Sequence, residues 1–394
     1  MGGKVAGVKV ELSNGSTGVT DAAGAFSVNY QPGVNYTLTP SYVTDSPIAN
    51  GVTTADITLI RRHVLGLAIL DSPYKVLAGD VNGSDSVTTA DITLIRRLIL
   101  GISTNFSSGL WRFVPSDETF VDMTKPWTAK RMRQYVSLAS GKLPGQDFKA
   151  IKMGDVNGSW KAPTASAGSI TKSKAKGRLT IGKVGALAGE IVKIPVSLAG
   201  VNRLGTLQMT LSWDDKAASF EGVEGLSLGG LSQENLGLTR VMDGKLSLSW
   251  DHPLGRGVEL GDNAELFHLK LRLKDTAAKR IEIQVTEGPT RLELTDGDTE
   301  VLAGVNPGWV EINSESHSGA GLVSFHNLGL NPDGSVLFEV RAPKGSKVGL
   351  EMSESLSNWI EVQVIIGQGL DVPIKISSTI DIYNNIKFWR LKAY

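Results

Sequence analysis

A chain of 394 residues with 40 basic and 40 acidic side chains has no net charge to draw it to nucleic acid or to an anionic membrane. Cysteine is absent, which excludes disulfides, thiol catalysis and zinc–thiolate sites, and no apolar run approaches the roughly 18 residues of a membrane span. The 45 glycines and 6% aromatics suit many short strands joined by turns, and the length predicts two to four domains.

The opening Met1-Gly2-Gly3-Lys4 lacks the apolar core of a signal peptide, so a leader is expected to have been removed or to precede this numbering. Residues 1–42 read as strands: Val5, Val8 and Val10, then TDAAGAFSVNY and YTLTPSYV, with turns where Gly and Asn cluster. AGVKVELSNG followed by TDAAGAFSV resembles a carboxypeptidase regulatory-like β-sandwich, a module of secreted bacterial proteins. That family opens with a strand before the AGVKV phrase, and here too few residues precede it. The resemblance therefore implies an incomplete sandwich, too small to fold alone. Its open edge either takes a strand from another chain or packs on the region that follows.

Residues 79–101, GDVNGSDSVTTADITLIRRLILG, place oxygen-bearing side chains at alternate positions and then run into an apolar stripe of helical period. Counted from Asp80 as position one, Asn82 stands at three, Ser84 at five, Ser86 at seven through its carbonyl, Thr88 at nine and Asp91 at twelve. Calcium takes six to eight oxygens in irregular geometry, so this spacing predicts a calcium loop feeding a helix. The EF-hand pattern has Gly at six and Glu at twelve. Here Asp85 and Asp91 stand there, so the sharp turn is expected at Gly83. A polar turn capping a helix is the other reading of the same residues.

VTTADITLIRR at 52–62 recurs letter for letter at 87–97, and Gly66 after Leu65 matches Gly101 after Leu100. Ile57, Ile60 and Val64 share a helical face, as do Ile92, Ile95 and Ile99, so two short helices are expected to pack together. The duplicated segment resembles a type I dockerin. Asp80, Asn82 and Asp91 match its pattern, as do Asp56 and the basic pairs Arg61–Arg62 and Arg96–Arg97. The resemblance implies bound Ca2+ and a helix pair that a partner recognises, with the four arginines at the interface.

The first copy lacks a usable loop of its own, because counting back from Asp56 to Asp45 leaves Pro47 and Ala49 at positions three and five. GDVNGS at 154–159 repeats residues 79–84 and has no helix behind it. The two fragments are expected to meet, Asp155, Asn157 and Ser159 completing a second site with Thr53 and Asp56; otherwise the later fragment is only a turn leaving the domain. Trp111, Phe113, Phe120 and Trp127, within 102–153, are expected to form an apolar wall against the helix pair. On this reading 43–160 is one calcium module with an extension, and 161–176, KAPTASAGSITKSKAK, is a linker.

From 177 to 313 the pattern is all strand. Val192, Ile194, Val196 and Leu198 alternate with polar residues, as do Leu207, Met209, Leu211 and Trp213, then Leu246, Leu248 and Trp250. Two sheets packed face to face are expected. The order AGEIVKIPVSLAGV, LGTLQMTLSWDD, FEGVEG, GDNAELFHLKLRLKD resembles a cohesin-type jelly roll, and cohesins are the receptors of dockerins. Residues 314–321 read as a second linker and 322–394 as a C-terminal β domain, with Trp359 and Trp389 expected in its core. The fold class is thus mainly β: a multidomain chain of β-sandwiches with a small α-helical module.

No sequence signal for catalysis stands out. The five histidines have no metalloprotease spacing, no GxSxG or phosphate loop occurs, and Asp214–Asp215 reads as a solvated turn. The expected function is a non-catalytic, calcium-dependent structural protein, secreted or at a cell surface. Its partners would be other copies of itself, joined head to tail into a fibre, or a cohesin- or dockerin-bearing protein. Whether helix pair and sandwich meet within one chain or between chains stays open, and so does the alternative of an adhesion or polysaccharide-binding role.

Overall fold

The computed structural model describes residues 4–43, 45–162, 176–274 and 278–312, and the six strands between 324 and 393. The chain falls into two compact units, Met1–Asn313 and Ser314–Tyr394. The sequence linkers at 161–176 and 314–321 lie almost wholly outside the described residues.

Strands β1 (Lys9–Leu12) and β2 (Thr17–Val19) form a hairpin, and β3 (Tyr36–Ser41) pairs antiparallel with β1. Helix α1 (Thr54–Val64) follows, then α2 (Pro73–Gly79), then α3 (Thr89–Ile99). The repeated TADITLIRR makes α1 and α3 alike. Asp56 and Asp91 each accept the backbone amide of the residue at the N-cap, Thr53 and Thr88, at 2.9 Å. Each helix ends where a glycine takes a left-handed turn, Gly66 at φ +67° and Gly101 at φ +70°. Ile57, Ile60, Ile92, Ile95 and Ile99 are buried between them, whereas Val64, expected on that face, is 37% exposed. Helix α2 was not foreseen. Ser72 caps it by accepting from Tyr74 N at 3.3 Å, and Pro73 opens it.

Residues 102–153 contribute β4 (Trp111–Pro115), β5 (Arg133–Tyr135) and β6 (Phe148–Lys152). The short β5 pairs with the outer edge of β3, Tyr36 opposite Tyr135, so a strand of the same chain occupies that edge of the N-terminal sheet. β4 and β6 form an antiparallel ribbon with two apolar faces. Trp111, Phe113, Phe148 and Ala150 join Val8, Val10, Tyr36 and Leu38 in the N-terminal core, and Val114 and Ile151 join the helix core. Of the four aromatics expected to wall the helices, Phe120 and Trp127 do so, while Trp111 and Phe113 face the N-terminal sheet. A strand's period of two sends neighbours to opposite faces and accounts for this division.

The region from 177 to 312 is a sandwich. In chain order its strands are β7 (Gly177–Ile181), β8 (Lys183–Ala186), β9 (Ile191–Ala199), β10 (Arg203–Ser212), β11 (Ala218–Glu224), β12 (Leu236–Gly237) and β13 (Lys245–Asp251). They continue with β14 (Val258–Glu259), β15 (Ala264–Leu273), β16 (Arg280–Thr286), β17 (Glu293–Asp296), β18 (Thr299–Val301), β19 (Ala303–Asn306) and β20 (Gly308–Ile312). One sheet has the order β12-β13-β10-β16-β20-β8, with β14 and β17 also on β10; the other has the order β11-β15-β9-β7-β19. Leu207, Met209, Leu211, Leu246, Leu248 and Trp250 point from β10 and β13 into the shared core.

The second unit holds β21 (Ser324–Leu330), β22 (Ser335–Ala342), β23 (Lys347–Ser353), β24 (Ile360–Ile366), β25 (Gly369–Thr379) and β26 (Phe388–Ala393). They form two antiparallel sheets, β21-β22-β25 and β24-β23-β26. Trp359 lies outside the described residues, and of Trp389 only its place in β26 is described.

Candidate functional site

The two loop fragments meet. Val156 N and Asn157 N donate to Asp56 Oδ1 at 2.9 and 3.0 Å, across a separation of about 100 residues, and in the continuous loop Val81 N and Asn82 N donate to Asp91 Oδ1 at 3.0 and 3.3 Å. Ser159 N donates to Asp155 Oδ1 at 2.9 Å and to Asn157 Oδ1 at 2.8 Å, matching Ser84 N on Asp80 Oδ1 and on Asn82 Oδ1, both at 2.9 Å. Thr53 and Thr88 hydroxyls donate to Asp56 Oδ2 and Asp91 Oδ2 at 3.1 and 3.2 Å. Ser84 Oγ donates to the Ser86 carbonyl at 3.3 Å, and Ser159 Oγ donates to the Gly51 carbonyl at 3.0 Å. Gly51 is therefore the position-seven residue of the split loop, which sequence reasoning missed although it stands 35 residues before Ser86, the same offset as the repeat.

The turn in the continuous loop uses both Gly83 at φ +72° and Asp85 at φ +61°, and Gly158 at φ +74° matches Gly83 in the split one. Asp45, the failed first position, is elsewhere: its buried carboxylate accepts from Lys152 Nζ at 2.7 Å and from Trp160 Nε1 at 3.2 Å.

Each loop gathers two buried carboxylates with amide, hydroxyl and backbone carbonyl oxygens, a hard-donor set. Among the described residues no group of three or more His, Cys, Asp or Glu is placed to hold a metal ion, so each loop would rely on its amide, hydroxyl and carbonyl oxygens beside the two carboxylates; neither loop contains a His or Cys, the donors that zinc or copper prefers. Burial, and then the charge of Asp155, push the Asp56 carboxyl well above its ordinary range. Burial likewise raises Asp155 and Asp91. A cation held by each pair would relieve both penalties, and the oxygen donors present are of the kind Ca2+ takes.

The helix pair also covers the sandwich. On β10 and β13 the residues that alternate with the core are Thr206, Gln208 and Thr210, paired with Asp251, Ser249 and Ser247, a polar row that faces away from the core and is nevertheless buried. Thr54 N and Oγ1 donate to Gln208 Oε1 at 2.7 and 2.8 Å, and Thr54 Oγ1 lies 2.9 Å from Ser249 Oγ. Ser247 Oγ donates to the Leu100 carbonyl at 2.8 Å. The sheet thus satisfies a first-turn amide of α1 and a carbonyl at the end of α3, groups no helix can pair internally. Asp251 receives Arg61 Nε at 2.5 Å and pairs with Arg96 as well. Arg62 donates to the Gly255 carbonyl at 2.8 Å and pairs with Asp298. Of the four arginines, Arg61, Arg62 and Arg96 thus contact the sandwich of the same chain, and Arg97 is exposed.

Residues 177–312, the β-sandwich, match the family model of the cohesin domain. No curated protein matches the chain. Among solved structures, the sixth cohesin of scaffoldin B from Acetivibrio cellulolyticus, in complex with the Cel5 dockerin, is 24% identical over 35% of this chain and 99% of its own, with a TM-score of 0.30. A Coh-OlpC–Doc435 type I cohesin–dockerin complex from Clostridium thermocellum is 21% identical over 37% of this chain and 99% of its own, with a TM-score of 0.31. A non-cellulosomal cohesin from Archaeoglobus fulgidus is 20% identical over 36% and 96%, with a TM-score of 0.29.

Proposed function

We propose that the chain is a non-catalytic, calcium-fastened scaffolding module of an extracellular or cell-surface protein, in which a dockerin-like helix pair serves as ligand for a cohesin-type sheet. The observation that carries the calcium reading is the shared set of carboxylate-centred hydrogen bonds in the continuous loop at 80–91 and the loop assembled from 51–56 and 155–159. The repetition favours a common ligand, and the oxygen donors favour Ca2+. Holding the metal couples its binding to folding, because α1 and α3 are too short to stand alone.

Titration calorimetry tests this. Two calcium ions per chain are expected, and Asp155→Ala should leave one. An unchanged stoichiometry in the variant, or no heat at all in the parent, refutes the reading. A head-to-tail fibre would use the same helix face and the same sheet, and the polar row of β10 and β13, buried under α1, bears on which molecule supplies each.

A further inference from the structure

We infer that the helix pair is the resident ligand of the sandwich in its own chain, a clasp that fastens residues 4–160 to residues 177–312 and keeps both faces from other copies. The clasp rests on the docking role given to the two faces above and not on the metal.

The helix pair covers a polar row of the sheet. Six polar side chains on adjacent strands, Thr206, Gln208, Thr210, Ser247, Ser249 and Asp251, have almost no access to solvent, and a buried polar group is costly unless it is hydrogen-bonded. Thr54, Leu100, Arg61 and Arg96 supply partners to four of them. Two arginines from the two copies of the repeat converge on one carboxylate, which balances a buried charge that neither part could hold alone. Gly101 also closes on the sandwich, where an added Cβ would fall 2.8 Å from Pro289 Cβ.

The seam is nevertheless a docking contact and not a core. The apolar residues of the helix pair and those of the sandwich form separate clusters, so each side keeps its own interior if the two part. Only the 161–176 segment joins them, and a short tether gives the seated partner an effective concentration of about millimolar. A rival face of equal affinity at about micromolar concentration would then hold about one sheet in a thousand. Growth head to tail is suppressed for the same reason.

The absence of cysteine gives a direct test in the full chain. Thr54→Cys with Ser249→Cys replaces two hydroxyls 2.9 Å apart by thiols, within reach of a bond of about 2.05 Å. Mild oxidation in calcium should close an intrachain disulfide, leaving a monomer on a non-reducing gel. Covalent dimers or a ladder would place the contact between copies and overturn the clasp, as would a folded double variant that stays reduced. If the double variant does not fold, the unaltered chain decides: it should be monomeric over a wide concentration range, with a hydrodynamic radius that grows in Asp251→Arg. A mass that rises with concentration, or equal radii, overturns the proposal. The oxidation is repeated in chelator, where a disulfide that forms without regard to metal keeps the clasp while removing the calcium reading.

Discussion

Thr54 and Thr89 occupy equivalent positions in two identical eleven-residue repeats, and the structure gives them different work. Thr54 is buried, with its hydroxyl between Gln208 and Ser249, whereas Thr89 is exposed. Removing a hydroxyl that leaves buried partners unpaired costs about 1–3 kcal/mol, while an exposed substitution stays within about 0.5 kcal/mol. Thr54→Ala is therefore expected to destabilise the chain measurably in chemical denaturation and Thr89→Ala to leave it nearly unchanged. Equal effects would mean that α1 does not lie on the sheet. The repeat makes both threonines visible in the sequence, but nothing local separates them, because the difference is imposed by β10 and β13 from more than a hundred residues away. The same holds for Arg96 and Arg97, adjacent in sequence and yet divided between Asp251 and solvent.

Among the elements, the split loop depends on how closely two strands of backbone can approach. Gly51 has φ +78°, and a Cβ there would meet the Cα of Trp160 at 2.6 Å. Gly83 in the continuous loop has a similar φ of +72° but open space, with Ser108 Cβ 3.9 Å away. Gly51→Ala should therefore separate the two fragments, with loss of one calcium-binding event and of amide protection over 154–160. Gly83→Ala should cost only the left-handed penalty of about 1–2 kcal/mol. Equal behaviour of the two variants in exchange and calorimetry would remove Gly51 from the site. Here the sequence was informative, since a repeated GDVNGS beside a repeated VTTAD announces two loops whether or not the pieces are contiguous. Helix α2 and strand β5 were not legible, because seven and three residues are too few to show a period. The ribbon of β4 and β6 hides its purpose differently: apolar on both faces, it reads as a wall against the helix pair alone until two cores are seen on either side.

Across the larger unit, the path of 102–153 decides how far the loss of the proposed metal would be felt. That excursion leaves after α3, lends β5 to the N-terminal sheet and β4 and β6 to the wall between two cores, and returns to close the split loop against Asp56. On the calcium proposal, a cation held by Asp56 and Asp155 would close a loop of about 100 residues, and clips that close long loops are the ones expected to gain most from closure entropy. Its removal would leave two buried carboxylates repelling each other and would release both ends of the excursion together. Chelation is therefore expected to lower amide protection not only in α1 and α3 but also in β1 and β3, whose sheet and core are completed by β5, Trp111 and Phe113. The core of the sandwich around Trp250 and Phe267 should stay protected, because it shares no apolar cluster with the rest. Exchange measured by mass spectrometry with and without chelator checks both halves of the expectation. Protection lost in the helices alone would show that the excursion is anchored by its own packing, and loss throughout the sandwich would show that the polar seam transmits more stability than its hydrogen bonds and ion pairs supply.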